Sequence, residues 1–222
     1  MASEVEHVIT KDGSSTLYAP RFNQHYHSLH GAIQESLHVF IEMGLKKRLE
    51  STPSSLKILE MGLGTGLNAL LTALAVPHVP VFYLALEAYP ISETAVEQLN
   101  YPQEIQGQNQ DLFQHIHKAP WEEDFHLSAN FSLYKKQVHL QDFQPVQHFD
   151  LIYFDAFAPE SQPELWTPSI FEKIYEWCES QAIFVTYSAK GDVRRALKNA
   201  GFSVEKIPGP PGKREMLRAS KS

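Results

Sequence analysis

Three glycines at alternate positions, Gly62, Gly64 and Gly66, constrain this chain of 222 residues more than any other feature. A short apolar run over residues 56–61 leads into them, and an Ala/Leu-rich stretch over residues 67–75 follows at once. This pattern predicts a strand, a tight turn and the start of a helix, the arrangement in which α/β domains hold nucleotide-like ligands. Glycine suits such a turn because it adopts unusual backbone angles and lets a ligand approach the backbone.

The residues around this turn select among ligands. A dinucleotide-binding G-x-G-x-x-G pattern starting at Gly62 requires glycine where Leu67 stands, and the Gly-Lys-Ser/Thr ending of a P-loop is absent. Glu60, at the end of the predicted strand, would repel a pyrophosphate but attract an ammonium or a sulfonium. S-adenosylmethionine carries both cations, so the pattern favours this cofactor over the alternative of a purely structural turn.

Length and composition set the remaining bounds. A chain of this size is expected to form one α/β domain, and its single cysteine, Cys178, excludes an internal disulfide. No apolar run is long enough to span a bilayer and the start lacks a signal-type apolar core, so a cytoplasmic protein with no membrane partner is expected. The histidines lack the spacing of a helical zinc pair, so no metal is expected.

Charge is distributed unevenly along the chain. Residues 190–222 carry nine Lys or Arg against three Asp or Glu, whereas residues 1–189 carry 10 against 23. A basic segment on an acidic body is expected if one edge of the protein meets phosphates. The alternative is a solvated helix and an edge strand protected by charges.

Hydrophobic periodicity predicts alternating strands and helices, and therefore a mostly parallel sheet. Residues 1–50 are expected to form an N-terminal extension, with a short hairpin over 10–17 and a helix over 29–49, packed on a core of residues 51–222 as one structural unit. The predicted strands of the core are residues 56–61, 81–86, 125–134 with 138–140 as a hairpin, 149–154, 182–187, 202–207 and 215–218, and its helices are 67–75, 92–99, 106–117, 169–177 and 192–200.

Four acidic residues follow predicted strands: Glu60, Glu87, Asp142 and Asp155. In open α/β sheets the ligand lies beyond the carboxyl ends of the strands. Glu87, 25 positions after Gly62, is placed to accept hydrogen bonds from ribose hydroxyls. Asp142 is placed to accept a hydrogen bond from an adenine amino group, although aspartate also stabilises turns.

Asp155 opens the most informative second motif, Asp-Ala-Phe-Ala-Pro, directly after a nearly all-apolar strand. An amine that attacks a sulfonium methyl group must first lose its proton, and a carboxylate beside the cofactor can bind the ammonium and accept that proton. The alternative is an aspartate that caps the turn before Pro159. Phe157 and Trp166 are candidates for the wall of a pocket for a flat base, or for ordinary core residues.

Several motifs, in order, resemble the methyltransferase domain of the MnmC family, which acts in tRNA 5-methylaminomethyl-2-thiouridine biosynthesis. The similarity is strongest to stand-alone members, which lack the FAD-dependent oxidoreductase domain. The matching segments are residues 22–28, 35–40, 60–68 (EMGLGTGLN), 155–159 (DAFAP) with Pro163 and Trp166, 186–191, 193–195, 200–202 and 212–216 (GKREM).

This resemblance implies a Rossmann-type class I methyltransferase with a mostly parallel seven-stranded sheet, an antiparallel terminal hairpin and an N-terminal extension. It implies transfer of a methyl group from S-adenosylmethionine to 5-aminomethyl-(2-thio)uridine at the tRNA wobble position, without FAD, so that the aminomethyl group comes from elsewhere. Asn23 and Gln24 stand where the family has two acidic residues. The implied roles are catalysis by Asp155, cofactor binding by Glu60, Gly62, Gly64, Gly66, Asn68, Glu87 and Asp142, and contacts with the substrate or RNA by Phe157, Trp166, Arg194, Arg195, Lys213 and Arg214.

Two other functions are compatible with the same residues. One is an N-methyltransferase for a small-molecule amine, which would work without RNA. The other is a non-catalytic nucleotide-binding module, in which the glycine turn binds a ligand and no reaction follows. The sequence leaves the oligomeric state open.

Overall fold

The computed structural model describes residues 5–107 and 109–222. Residues 1–4, in the predicted extension, and Gln108, in the predicted helix 106–117, lie outside the described residues. The strands are β1 (Glu6–Ile9), β2 (Ser15–Ala19), β3 (Gln24–His25), β4 (Leu56–Met61), β5 (Val81–Glu87), β6 (Asp124–Ser128), β7 (Phe131–Gln137), β8 (Phe149–Phe154), β9 (Cys178–Thr186), β10 (Ser203–Pro208) and β11 (Glu215–Ser220). The α-helices are α1 (Ala32–Ser36), α2 (Lys46–Leu49), α3 (Leu67–Ala75), α4 (Glu93–Glu97), α5 (Tyr101–Glu104), α6 (Gln110–Lys118), α7 (Pro168–Trp177) and α8 (Gly191–Asn199).

The N-terminal part forms a small antiparallel sheet in the order β1-β2-β3, followed by a helical segment. Helix α1 continues through a π-helical stretch, Leu37–Leu45, directly into α2. The predicted helix therefore exists, but it begins at Ala32 rather than at residue 29. The loop predicted before it contains the short strand β3, which pairs with β2.

The main sheet has eight strands in the order β10-β11-β9-β8-β4-β5-β7-β6. The five strands from β9 to β7 in this order pair in parallel, while β6, β11 and β10 are antiparallel to their neighbours. The predicted mostly parallel sheet with an antiparallel terminal hairpin is thus confirmed. The sheet has eight strands rather than the expected seven, and the additional strand is β6. The segment predicted as one strand over 125–134 turns back at residues 129–130, where the backbone N–H of Asn130 donates to the Ser128 hydroxyl.

Side chains alternate between the two faces of this sheet, as a period of two requires. Ile58 and Tyr83 pack with α3, α6 and the π-helical segment in one buried cluster. Their neighbours Leu59 and Leu84 pack with α7 and α8 in another. The strands are therefore buried on both faces, which explains their nearly continuous apolar sequences and leaves polar residues at the strand ends.

Several further boundaries differ from the prediction, and the strand predicted over 182–187 begins already at Cys178. The helix predicted over 106–117 begins at Gln110, after Asn109. Residues 138–140 are not a strand, since Leu140–Asp142 forms a short 3-10 helix. The hairpin partner of β7 is β6, on its other side in sequence.

Candidate active site

The site lies where the order of successive strands in the main sheet reverses, between β4 and β8. Strand β4 pairs with β5 on one side and with β8 on the other, so the segments that leave β4 and β8 diverge at their carboxyl ends. Such a switch point leaves a crevice. Gly62 and Asp155 follow these two strands, and the backbone N–H of Asp155 donates to the Met61 carbonyl at 3.1 Å.

A side chain at position 62 would be strained and would clash with the backbone. The φ of Gly62, +91°, lies in the left-handed region, and a Cβ added there would be 2.8 Å from the carbonyl oxygen of Asp155. The glycine turn therefore packs directly on the backbone of the second motif. This contact couples the predicted cofactor turn to the predicted catalytic residue.

A cavity of about 350 Å³ opens at this point. It is lined by the glycine turn, by the segments that follow β5 and β8, and by residues of the N-terminal part from Phe22 to Glu35. This volume lies within the range of small-molecule sites, about 300–1,000 Å³. Residues from both predicted regions of the chain thus share one cavity.

Glu87 marks one end of the cavity. Its carboxylate accepts backbone hydrogen bonds from Gly64 at 2.9 Å and from Tyr89 at 2.8 Å. Burial raises the pKa of the Glu87 carboxyl, although these backbone donors oppose the shift. Carboxylate oxygens have about four lone-pair sites, so Glu87 keeps the capacity to accept further hydrogen bonds from a ligand.

Asn68 joins two buried carboxyl groups in the middle of the site. Its Nδ2 donates to Glu60 Oε1 at 3.0 Å and to Asp155 Oδ2 at 2.8 Å. Burial raises the pKa of Asp155 to about 7, against the hydrogen bond from Asn68, and burial raises the pKa of Glu60 well above its usual value. Among the described residues, Asn68 Oδ1 and Glu60 Oε2 have no partner within hydrogen-bond distance, although the neighbouring Tyr83 hydroxyl acts to lower the pKa of the Glu60 carboxyl.

These unpartnered oxygens test whether the site fits the predicted cofactor. Buried acceptors without a partner are costly, and buried carboxylates are stabilised by a positive charge. A ligand with an ammonium and a sulfonium satisfies both needs beside Glu60 and Asp155. The residues present therefore fit S-adenosylmethionine.

Aromatic rings form the wall next to Asp155. Phe22 stacks on Phe157 with ring centroids 4.5 Å apart, and Tyr26 contacts the Phe157 ring edge-on at 5.0 Å. Gln24 Oε1 accepts a hydrogen bond from the backbone of Ala158 at 3.1 Å. Gln24 thus orders the segment that carries Phe157.

The structure brings most of the predicted site residues together. The cavity is lined by Gly62, Gly64, Asn68, Glu87, Asp155, Phe157 and Lys213. Glu60 lies behind Asn68, and Gly66 precedes the first residue of α3 as its N-cap.

The other predicted residues lie outside this cavity. Asp142 is exposed in the 3-10 helix, and its predicted contact with adenine stays a prediction. Trp166 is buried against Phe154, and its indole N–H donates to the Phe157 carbonyl at 2.8 Å, so it supports the wall from behind. Arg194, Arg195 and Arg214 do not line the cavity.

The sequence interpretation assigned no role to Glu35, which lines the cavity and binds Lys213 at 2.7 Å. Glu35 lies two positions from Ile33 and Leu37, off the apolar stripe of the predicted helix, so hydrophobic periodicity gave no signal for it. Gln24 and Tyr26 were also missed as contacts of the Asp155 motif.

Within residues 5–107 and 109–222, no group of three or more His, Cys, Asp or Glu side chains is arranged to hold a metal ion. In the same part of the chain, no helix combines the length and apolar character needed to cross a membrane.

A mostly parallel sheet with a glycine turn after β4 and a cavity at its switch point defines a Rossmann-type nucleotide-binding fold of the methyltransferase class. A family profile described as S-adenosyl-L-methionine-dependent methyltransferase matches residues 99–222. The chain belongs to this family, which confirms S-adenosylmethionine as the predicted cofactor.

Known proteins show the same relationship. The bifunctional tRNA 5-methylaminomethyl-2-thiouridine biosynthesis protein MnmC of Idiomarina loihiensis is 32% identical over 213 residues, covering 88% of this chain and 35% of that protein. MnmC of Magnetococcus marinus is 32% identical over 219 residues, covering 91% and 32%. The chain thus spans about a third of the length of the curated relatives it matches.

A solved structure agrees along nearly the whole chain. The crystal structure of MNMC2 from Aquifex aeolicus superposes with a TM-score of 0.77 at 26% identity, covering 98% of this chain and 70% of that one. The resemblance predicted from the motifs is therefore confirmed.

Proposed function

We propose that this chain methylates the amine of 5-aminomethyl-(2-thio)uridine at the wobble position of tRNA. The names of the MnmC relatives support the choice of substrate. The observation that carries the reaction is the Asp155 carboxyl group, which is half-buried on the cavity wall and whose pKa is raised to about 7 by desolvation. Such a group accepts a proton near neutral pH more readily than an ordinary aspartate.

The chemistry requires a neutral amine at a fixed position. Bound S-adenosylmethionine supplies a methyl group on a positively charged sulfur. Asp155 binds the incoming ammonium and accepts its proton, so that the nitrogen lone pair is free for attack. Asn68 holds the Asp155 carboxylate by its 2.8 Å hydrogen bond.

Other residues of the site would hold the cofactor. Glu87 would accept hydrogen bonds from ribose hydroxyls and Asn68 from the ammonium group, while Glu60 would support Asn68 from behind. Gly62, Gly64 and Gly66 keep the turn open to the ligand. Asp142 is proposed to reach the adenine amino group from outside the described cavity.

The N-terminal extension, residues 1–50, would complete the substrate side of the methyltransferase domain, residues 51–222. The stacked rings of Phe22 and Phe157 offer a flat surface next to Asp155. Stacking on such rings is the usual way in which proteins hold an unstacked RNA base. A uracil on this surface would present its 5-substituent to Asp155.

Transfer to defined substrates tests the proposal. The full chain is incubated with S-adenosylmethionine labelled in its methyl group and with tRNA carrying 5-aminomethyluridine, the matched tRNA with unmodified uridine, or free small amines. We expect label only in the aminomethyl tRNA. Turnover of the small amines without RNA would favour a small-molecule methyltransferase, and cofactor binding without transfer to any acceptor would favour a non-catalytic module.

The basic C-terminal segment supplies a candidate surface for RNA phosphates. Arg194, Lys206 and Arg214 lie around Glu215, and the pKa of the Glu215 carboxyl is lowered, chiefly by its hydrogen bond with Lys206. Arg195 pairs with Asp192 on the exposed side of α8. We propose that Arg194 and Arg214, together with Arg195, contact the phosphates.

Neutralising this surface should weaken RNA binding in a salt-dependent manner. In the variant Arg194→Gln/Arg214→Gln, each lost phosphate contact lowers the slope of log affinity against log salt by about one unit. Binding of tRNA is measured over a series of salt concentrations. The control is Lys46→Gln/Lys47→Gln, which removes the same charge from α2, where the two lysines pair with Glu42 and Glu50. Equal slopes for the two variants would exclude the proposed surface.

A further inference from the structure

The wall of the cavity is strongly acidic. Glu35, Glu87 and Asp155 line it, and Glu60 lies directly behind. Among the described residues that line the cavity, Lys213 is the one Lys or Arg side chain. Its position therefore decides where the single permanent positive charge of the wall acts.

Lys213 is held in place by a buried carboxylate. Its Nζ lies 2.7 Å from Glu35 Oε1, while Glu35 Oε2 accepts the backbone N–H of Ser28 at 2.7 Å. Glu35 is only 7% exposed. Both carboxylate oxygens are thus engaged, and the ammonium is fixed to α1 although it comes from the segment between β10 and β11.

The same ammonium is connected to the Asp155 segment. Lys213 Nζ lies 4.0 Å from the centre of the Tyr187 ring, a cation–π contact. The Tyr187 hydroxyl donates to the carbonyl of Ala156, the residue after Asp155, at 2.8 Å. Glu35, Lys213 and Tyr187 therefore form one connected group on the cavity wall shared with Asp155.

We propose that Lys213 is a positioning residue for the proton acceptor, an inference that rests on the proposed function. The Lys213 ammonium, held on the cavity wall by Glu35, stabilises the ionised Asp155 carboxylate.

The charges around Asp155 support this role. Glu35 from α1 and Glu60 from β4 are the carboxyl groups that face Asp155, Tyr187 after β9 is a neutral phenol because burial raises its pKa, and Lys213 is the cation that opposes Glu35. Burial, and to a smaller extent Glu35, raises the pKa of Asp155, whereas Asn68 and Lys213 lower it, with a result of about 7. Without Lys213 the proton acceptor would ionise only at higher pH.

The test is the pH dependence of kcat at saturating cofactor and aminomethyl tRNA. For the native chain kcat should rise through about pH 7 as Asp155 ionises. In Lys213→Met we expect the midpoint to move up by about one unit, which lies at the lower end of the effect of a nearby opposite charge. The variant should therefore lose about tenfold in kcat at about pH 6 and recover nearly native kcat at about pH 9. Lys213→Arg should restore the native midpoint.

Two further variants separate electrostatics from structure. Lys47→Met removes a similar Lys–Glu pair, with Glu50 at 2.6 Å, outside the cavity, and should leave the midpoint unchanged. Glu35→Gln removes the negative charge and keeps one amide oxygen as an acceptor for Ser28 or Lys213, so the midpoint should move down. Opposite shifts from the two halves of one ion pair cannot arise from a loosened hairpin.

Each other outcome has a distinct meaning. If Lys213→Met lowers kcat at every pH without shifting the midpoint, the inference is overturned. A large loss of cofactor affinity in Lys213→Met with an unshifted profile would also overturn it and would assign Lys213 to the cofactor instead. If the native chain transfers no methyl group to aminomethyl tRNA, the proposed function fails. If Asp155→Asn is fully active, Asp155 is not the proton acceptor, and the inference about Lys213 fails with it. If Asp155→Asn is inactive and neither Lys213→Met nor Glu35→Gln shifts the profile, only the inference about Lys213 fails.

Discussion

Replacing Asp155 with asparagine should abolish methyl transfer and at the same time stabilise the folded protein at neutral pH. Loss of a general base costs about 10²–10⁴-fold in rate. Cofactor affinity should stay within about threefold, because the amide oxygen of the substituted side chain can still accept the hydrogen bond that Asn68 donates to Asp155 in the native chain. Calorimetry with S-adenosylmethionine and single-turnover transfer to aminomethyl tRNA measure the two effects separately.

The gain in stability follows from the raised pKa of Asp155, which burial brings from 3.8 to about 7. Below about pH 4 the Asp155 carboxyl is protonated in both the folded and the unfolded chain, so it does not change the free energy of unfolding. Between about pH 4 and 7 the unfolded chain ionises while the folded chain does not, so the free energy of unfolding falls as pH rises. The total effect is about 4 kcal/mol above pH 7, from about 1.36 kcal/mol per pKa unit. Asparagine does not ionise and avoids this loss.

Asp150→Asn is the matched control on the same strand, β8. Its carboxylate pairs with Arg48 at 2.7 Å and accepts the backbone N–H of Lys57 at 2.9 Å. Removing that charge leaves Arg48 without its ionic partner and should destabilise the fold. Urea unfolding is measured at about pH 4.5 and about pH 8. At the higher pH the free energy of unfolding should rise in Asp155→Asn and fall in Asp150→Asn. An Asp155→Asn protein that is less stable than the native chain at that pH would contradict a buried, hard-to-ionise carboxyl.

Local sequence patterns were sufficient for the cofactor end of the site. Gly62 and Glu87 follow apolar strands, and parallel strands bring their carboxyl ends to one edge of a sheet. The order of the strands was not needed for this prediction. For the same reason Asp155, which follows β8, lies at the same edge and lines the same cavity.

The substrate end depends on contacts between distant parts of the chain. Glu35 and Lys213 are separated by 178 positions, and no periodicity connects them. Lys213 was assigned to an RNA surface because it lies in a basic segment, whereas in the structure its ammonium lies on the cavity wall. Trp166 was a candidate for the pocket wall or for an ordinary core residue, and tertiary packing places its indole against Phe154.

Gly62→Ala should both destabilise the protein and remove cofactor binding. A residue with a side chain at φ +91° costs about 1–3 kcal/mol in backbone strain. The added Cβ would also lie 2.8 Å from the Asp155 carbonyl oxygen, and a backbone atom cannot move aside as a flexible side chain does. The turn and the Asp155 segment must therefore separate, which displaces the groups proposed to hold the ligand.

Gly13→Ala isolates the strain from this clash. Gly13 has nearly the same φ, +87°, but its added Cβ would meet only the flexible carboxylate of Glu104 at 3.1 Å. Both variants should lose stability in urea unfolding, Gly62→Ala by more, and only Gly62→Ala should lose at least about tenfold in affinity for S-adenosylmethionine. Equal losses of stability with intact binding in both would mean that the contact between Gly62 and Asp155 does not organise the cofactor site. The difference between the two variants thus measures how strongly the glycine turn depends on the backbone of the proposed proton acceptor.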